Sequence, residues 1–169
     1  MLRKLSIGAG RKSYPGFETI DVEAYARPTY LGDFRTMKFE DVEEIRADHI
    51  LEHFSRKESI EVLKLWHSWL KPGGKIRIET PDMEGMCKIF TDQPKRLWAG
   101  RELVDIAIYG SQEADWAHHK TGWWKDKFEE ILPQIGFAIT NTKHIHGNVR
   151  WNDVKYRLPY IWVEAIKNV

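Results

Sequence analysis

The stretch Leu5-Ser6-Ile7-Gly8-Ala9-Gly10 decides the fold, because a short apolar run ends there directly in a glycine turn. A strand that leads into such a turn is typical of the first unit of a parallel α/β sheet. Further strand-like runs are predicted at 16–22, 30–31, 44–48, 75–80, 137–145 and 160–166. Helical patterns lie at 56–70, 83–109 and 126–135. This alternation predicts one α/β domain with a mainly parallel sheet.

The best-defined helix is predicted to begin after Ser55, which forms the capping-box pattern S-x-x-E with Glu58. The segment Lys71-Pro72-Gly73-Gly74 ends this helix, because proline cannot continue it and glycine permits the turn. Near the end of the chain, Gly147-Asn148 predicts the return of a hairpin between the last two strands. The pair Trp123-Trp124 is hard to bury whole, because neighbouring side chains point in different directions.

Composition excludes several classes of protein. The 169 residues carry a formal charge of +1, which gives no electrostatic reason to expect a nucleic acid or a membrane surface as a partner. A single cysteine, Cys87, rules out a disulfide within the chain and suits a reducing compartment. No stretch approaches the roughly 20 apolar residues of a membrane span. We therefore expect a cytoplasmic protein without a membrane span.

Three features are predicted to fall at the carboxyl ends of strands, where open parallel sheets bind their ligands. Gly8-Ala9-Gly10 follows the first strand and allows a ligand to approach the backbone closely. Asp21 ends the second strand, where a carboxylate can accept hydrogen bonds from both hydroxyls of a ribose. Asp33 follows the third strand and could accept from an adenine amino group, with Phe34 offering apolar surface to the ring.

Each of these features also has a plain structural interpretation, as an ordinary turn or a solvated acid, and only the spaced set points to a nucleoside. Ser13 stands where the dinucleotide fingerprint would need a third glycine, which disfavours a nicotinamide oxidoreductase. Only about ten residues separate Gly10 from Asp21, fewer than a crossover with a full helix usually needs. The first helix is therefore expected to be cut to a turn or lost.

The order of motifs resembles class I S-adenosylmethionine-dependent methyltransferases, in particular the short bacterial type-11-like group often found with glycosyltransferases. The resemblance extends from Leu5 to about Phe137. The segments that support it are Leu5-Ser6-Ile7-Gly8-Ala9-Gly10, Pro15-Gly16-Phe17, Ile20-Asp21-Val22, Gly32-Asp33-Phe34, Ala47-Asp48-His49-Ile50-Leu51-Glu52-His53-Phe54, Leu70-Lys71-Pro72-Gly73-Gly74-Lys75-Ile76-Arg77-Ile78, Thr80-Pro81-Asp82, Tyr109-Gly110-Ser111-Gln112, His119-Lys120 and Ile135-Gly136-Phe137.

The resemblance implies a Rossmann-like three-layer α/β/α sandwich, with a mostly parallel seven-stranded sheet whose last strand is antiparallel. It implies S-adenosylmethionine as the cofactor, lying over the glycine turn, with its ribose on Asp21, its adenine beside Asp33, and its methionine end along 48–53. The implied cofactor contacts are Gly8, Ala9, Gly10, Asp21, Val22, Asp33, Phe34, Asp48, His49 and Leu51.

Two departures from the family pattern bear on the expected assembly. Leu5-Ser6 stands where the first motif usually has an acidic residue, and the sequence starts at the first strand. We expect a single methyltransferase domain over residues 1–169, without the N-terminal helices that form a lid in many relatives. The resemblance therefore leaves a role for a second subunit in closing the site, and a homodimer is one expected state.

Methyl transfer to oxygen or nitrogen is a direct displacement that benefits from alignment and from a general base, a role that suits histidine. His53 and His119 are the candidate catalytic residues. His118-His119 and the pair His144 and His146 do not complete a zinc set in the sequence, so no metal is expected. The predicted function is methyl transfer to a small molecule or glycan precursor. The alternative is a catalytically silent nucleotide-binding module that acts as a partner subunit.

Overall fold

The computed structural model describes residues 2–92, 98–151 and 154–168, which form a seven-stranded sheet and four α-helices. The strands are β1 (Lys4–Ile7), β2 (Glu18–Asp21), β3 (Tyr30–Leu31), β4 (Val42–Asp48), β5 (Leu70–Pro81), β6 (Phe137–Trp151) and β7 (Val154–Lys167). The helices are α1 (Arg56–Trp69), α2 (Met83–Asp92), α3 (Trp98–Tyr109) and α4 (Lys125–Ile135). Short 3-10 turns lie at Ala24–Ala26, Phe34–Thr36, Leu51–His53 and Asp115–Ala117.

The strand order is β3-β2-β1-β4-β5-β7-β6, and β7 is antiparallel to both of its neighbours. All other pairs in the sheet are parallel, which confirms the predicted Rossmann-like sheet and its antiparallel last strand. The chain proceeds outward from β1 to β3 and then returns to place β4 on the other side of β1. This reversal creates a crevice at the carboxyl ends of β1 and β4, the usual position for a ligand in such sheets.

The connection between β1 and β2 contains turns but no helix, as the short spacing predicts. Gly8 and Gly10 have φ angles of 62° and 54°, in the left-handed region that glycine adopts without a steric penalty. The Gly8 N–H donates to the Ile20 carbonyl at 2.9 Å, which fastens the turn to β2. No helix between β1 and β2 therefore covers the backbone at the end of β1.

The two faces of the sheet differ sharply in character. Alternate residues such as Leu5, Ile45 and Ile76 are fully buried in one apolar core with α1 and α4. Most of the side chains between them are charged, and Arg77 lies 3.3 Å from Glu44 and 2.9 Å from Glu164 on the opposite face. Helices α2 and α3 pack on that second face only toward the β7 end, around Met86, Leu103, Val104 and Leu158. Helices thus lie on both faces, while ion pairs cover the centre of one.

Helix α1 begins as predicted, because Ser55 and Glu58 form both hydrogen bonds of the capping box. The expectation for the pair Trp123-Trp124 is also met, since Trp123 is fully buried and stacks on Phe128 while Trp124 is 38% exposed. Within the described residues, no helix combines the length and the apolar character that a membrane span requires.

The predicted hairpin between the last two strands is confirmed, because β6 and β7 pair antiparallel, but its turn is not at Gly147-Asn148. Both residues lie within β6, which continues to Trp151. A β-carbon at Gly147 would collide with the Tyr160 ring, so this glycine serves close cross-strand packing rather than a turn. The region 83–109, predicted to be mainly helical, contains the two helices α2 and α3. Helix α1 ends at Trp69 and strand β5 begins directly at Leu70, earlier than predicted. The segment 71–74, predicted to be a turn that ends the helix, therefore lies within β5.

Candidate active site

A cavity of about 340 Å³ opens at the carboxyl ends of β1, β2 and β4. The glycine turn contributes Gly8 and Gly10 to its wall, and Asp21 lies at its edge. The sequence-predicted residues that line this cavity are Gly8, Gly10, Asp21, Val22, Asp33, Phe34, His49 and His53. Most of the predicted cofactor contacts, together with one of the two predicted catalytic histidines, therefore share a single hollow.

Asp21 lies at the mouth of this cavity, where backbone hydrogen bonds fix its carboxylate. Its Oδ2 accepts a hydrogen bond from the Gly10 N–H at 2.8 Å, and its Oδ1 accepts one from the Glu23 N–H at 2.9 Å. Each carboxylate oxygen has two acceptor directions, so both oxygens can accept a further hydrogen bond. A carboxylate fixed in this way at a strand end is pre-organised to bind two neighbouring hydroxyl groups of a sugar.

Asp33 is more heavily engaged than its predicted role assumes. It begins the turn Phe34–Thr36, where its side chain accepts from the Arg35 N–H, and the Arg35 guanidinium binds the same carboxylate with its shortest contact at 2.7 Å. The hydrogen bond from Arg35 is the main reason that the pKa of Asp33 is lowered. An adenine amino group would have to share this carboxylate with Arg35.

Phe34 forms part of the floor of the cavity. It is 5% exposed, and its ring makes an edge contact with Phe54 at a centroid distance of 5.7 Å and lies against Trp66 at 5.8 Å. This aromatic group joins the cavity directly to the core that α1 covers. The floor is therefore apolar and rigid, as the flat face of a purine ring requires.

Residues predicted for the methionine end separate into different environments. Ala9 and Asp48 line a second cavity of about 180 Å³ beside the glycine turn, and His49 lines both cavities. Asp48 accepts from the Tyr14 hydroxyl and from Arg46, both at 2.8 Å. Burial, followed by the hydrogen bond to Asp48, raises the pKa of Tyr14 to about 12. Leu51 is fully buried in the main core, so its side chain lies beneath these cavities rather than at their surface.

His49 lies between two acids. Its Nδ1 is 3.3 Å from Glu52 Oε1 and its Nε2 is 3.0 Å from Glu79 Oε1. Burial disfavours the charged ring, but together these two carboxylates outweigh it and raise the pKa of His49 to about 9. The backbone of His49 has a φ of 55°, an uncommon conformation for a residue with a side chain. Such a conformation persists where the surrounding contacts impose it, often at functional sites.

The two predicted catalytic histidines meet, with ring centroids 4.8 Å apart. The Nδ1 atom of His53 lies 3.2 Å from the His118 carbonyl, and that of His119 lies 2.9 Å from the Ala107 carbonyl. Burial lowers the pKa of His119, which favours its neutral form. His144 is not part of this group, because its Nδ1 contacts the buried Asp82 at 2.9 Å.

Glu52 and Glu79 are functional candidates that the sequence analysis missed. Glu52 is 2% exposed and its backbone carbonyl accepts from the Lys120 N–H at 2.8 Å, which brings the 118–121 segment to the end of β4. Burial favours the protonated acid, but the His49 ring outweighs it and lowers the pKa of Glu52. In the sequence, an acid between an apolar residue and a candidate catalytic histidine, Leu51-Glu52-His53, is the signal that could have identified Glu52.

Sequence comparisons find no matching family model and no matching curated protein. Solved structures do match. A SAM-dependent methyltransferase from Methanosarcina mazei is similar with a TM-score of 0.66 at 12% identity, over 99% of this chain and 92% of its own. This chain has the Rossmann-like fold of class I methyltransferases. A SAM-dependent methyltransferase from Archaeoglobus fulgidus has a TM-score of 0.61 at 18% identity, over 98% of this chain and 86% of its own.

A third similar structure was determined with a ligand. It is the 1,6-didemethyltoxoflavin-N1-methyltransferase of Burkholderia thailandensis with bound 1,6-didemethyltoxoflavin and S-adenosylhomocysteine, with a TM-score of 0.61 at 16% identity, over 98% of this chain and 71% of that one. At such identities the likeness establishes the fold. The narrower type-11-like assignment stays a prediction.

Proposed function

We propose that this protein is an S-adenosylmethionine-dependent methyltransferase that moves a methyl group to an oxygen or nitrogen atom of a small molecule or glycan precursor. The observation that supports this most directly is the cavity at the switch point of the sheet, with Asp21 anchored at its mouth. The fold neighbours are consistent with a small acceptor, since one of them is named for methylating 1,6-didemethyltoxoflavin.

The proposed cofactor position follows from the two cavities. The adenosine would lie in the larger one, with the ribose on Asp21 and the adenine above Phe34. The methionine end would extend past Gly8 and Gly10 toward the smaller cavity, where Tyr14 and Asp48 offer polar atoms. Since both cavities share Gly8, Gly10 and His49, one extended ligand can occupy them together.

In this proposal the acceptor approaches from the side of His53. The methyl donor is already activated as a sulfonium, so the protein has to align the nucleophile, the methyl group and the sulfur. His53 lines the large cavity, and the neutral form of His119 lies beside it. Either ring is placed to accept the proton that a hydroxyl or ammonium acceptor must lose.

Calorimetry tests the cofactor part of the proposal. We expect S-adenosylhomocysteine and S-adenosylmethionine to bind in one-to-one stoichiometry, and we expect no heat from NAD under the same conditions. Binding of NAD in place of both sulfur compounds would contradict the proposal. Methyl transfer is tested with radiolabelled S-adenosylmethionine, a panel of sugars, phenols and amines, and cell extracts. Binding of the cofactor without methyl transfer to any of these acceptors would favour the silent module.

A further inference from the structure

Glu52, His53 and His119 converge on one point from different parts of the chain. One ligand-capable atom from each lies within 4.8 Å of the atoms from the other two. Glu52 and His53 belong to the turn that follows β4, while His119 follows the turn Asp115–Ala117. The backbone hydrogen bond from Lys120 to the Glu52 carbonyl fixes these two segments against each other. The group is therefore held by the fold rather than by a chance meeting of long side chains.

The Glu52 carboxylate is buried and has few polar partners. Its two oxygens are inaccessible to solvent, and neither receives a well-directed hydrogen bond within the part of the chain that the structure describes. His49 is the nearest cation, with its Nδ1 3.3 Å from Glu52 Oε1. A buried carboxylate with free acceptor positions is costly unless a cation completes its surroundings.

Both histidines of the group are oriented by backbone carbonyls. A carbonyl oxygen can only accept, so the Nδ1 atoms of His53 and His119 donate to His118 and Ala107 respectively. In a neutral ring this leaves the lone pair on Nε2. Donation from one ring nitrogen to a carbonyl or carboxylate, with the other left free, is the arrangement that orients histidines toward a bound metal ion.

We propose that Glu52, His53 and His119 form a binding site for a divalent transition-metal ion of the Zn²⁺ type. Two imidazole nitrogens and one carboxylate are a donor set found in catalytic zinc sites, where the fourth position stays open. Ligand atoms of a tetrahedral ion of this kind lie roughly 3.3–3.5 Å apart. The three side chains, whose ligand atoms now lie within 4.8 Å of one another, would therefore close by up to about 1.5 Å. His49, whose Nδ1 lies beside the same carboxylate, would help to hold Glu52 in position.

The proposed metal site borders the candidate active site through His53. His53 lines the large cavity, while Glu52 and His119 line a separate hollow of about 10 Å³, roughly the space of one water molecule. If the proposed function holds, on which this step rests, a bound ion would lower the pKa of an acceptor hydroxyl that reaches it from the large cavity beside His53. His53 and His119 then serve as its ligands, and the acceptors favoured are those with an oxygen nucleophile.

The test uses the untagged full chain, stripped with EDTA and then titrated with Zn²⁺, with Co²⁺ as a spectroscopic probe. We expect one equivalent of Zn²⁺ to bind and Co²⁺ to give the visible absorption of a low-coordinate nitrogen and oxygen site. His119→Ala and His53→Ala should each weaken Zn²⁺ binding by at least about tenfold, since loss of a supporting residue alone costs that much. Thermal unfolding and circular dichroism establish that each variant is folded.

The matched control is His118→Ala, which removes an exposed imidazole beside His119 but leaves the backbone carbonyl that orients His53. His146→Ala is a second control on an exposed part of β6. Both should bind Zn²⁺ like the unaltered protein. The site is refuted if no stoichiometric Zn²⁺ binds, or if the controls lose as much affinity as His119→Ala. Binding of S-adenosylhomocysteine in EDTA is measured in parallel. Absence of this binding would count against the proposed function, whereas binding of S-adenosylhomocysteine without uptake of Zn²⁺ would refute only the metal site.

Discussion

Asp21 and Glu52 are two acids near the same cavity, and their surroundings are opposite. Asp21 lies at the mouth, and each of its oxygens already accepts from a backbone N–H. Glu52 is buried behind the wall, where His49 is its nearest cation and no well-directed hydrogen bond from the described residues reaches it. The Asp21 carboxylate is thus fixed by hydrogen bonds and open to a polar ligand, whereas the Glu52 carboxylate is buried beside one cation and lacks well-directed hydrogen bonds from the described residues. Their roles in stability and in binding should differ accordingly.

The largest effect is expected for Glu52→Gln. The change removes the charge that His49 faces inside the protein, and breaking a buried pair costs several kcal/mol. Because His49 keeps Glu79, we expect a loss near the low end, about 3 kcal/mol in the free energy of unfolding. Urea denaturation in EDTA measures it. Asp21→Asn is the comparison variant and should lose about 1 kcal/mol or less, since its amide oxygen can retain one backbone hydrogen bond; equal losses in the two variants would erase the distinction between the acids.

His53→Ala should lower the turnover number about a hundredfold once an acceptor is known, because in the proposed function its ring accepts a proton from the acceptor. Affinity for S-adenosylhomocysteine should change little. Steady-state kinetics and calorimetry on the same preparation separate the two effects. An equal loss of turnover and cofactor affinity would place His53 in the cofactor site instead.

Asp21→Ala should weaken the binding of S-adenosylhomocysteine by about 1–3 kcal/mol, through the loss of charged hydrogen bonds to the ribose. The same variant releases the Gly10 N–H that Asp21 holds, so part of the effect comes from a looser glycine turn. The affinity of Asp21→Asn, which keeps an acceptor oxygen, should fall between those of the unaltered protein and Asp21→Ala. Unchanged affinity in a folded Asp21→Ala protein would remove this residue from the cofactor site.

The smallest effect is expected for Asp33→Ala. Its carboxylate is exposed and already paired with Arg35, so we expect it to contribute less than about 1 kcal/mol to cofactor affinity. Calorimetry with S-adenosylhomocysteine provides the value, and Arg35→Ala is the paired control, which frees the Asp33 carboxylate for adenine. A loss as large as that of Asp21→Ala would show that adenine, rather than Arg35, is the main partner of Asp33.

The adenosine side of the site could be predicted from sequence because its residues follow strands directly. Gly8, Gly10, Asp21 and Asp33 each come at the end of a recognisable strand, and parallel strands bring their carboxyl ends to one edge. The missing first helix could be predicted in the same way, from the short distance between Gly10 and Asp21. Local spacing was enough for these features.

The acid and histidine group could be predicted only in part. His53 and His119 are predicted as separate candidates, but nothing local in the sequence shows that they meet or that Glu52 lies beside both. Their meeting depends on how the 118–121 segment docks on the Leu51–His53 turn, which is a tertiary contact. The Gly147 error has a similar origin, because a glycine needed for packing against Tyr160 looks the same in sequence as a glycine needed for a turn.

A crystal structure of the protein with S-adenosylhomocysteine tests the central claim most directly. The account predicts the adenosyl group in the large cavity, with both ribose hydroxyls within hydrogen-bonding distance of the Asp21 carboxylate and the purine against Phe34. Electron density for the ligand at another place on the molecule, with this cavity filled only by solvent and Asp21 still bonded to Gly10 and Glu23 alone, would contradict it.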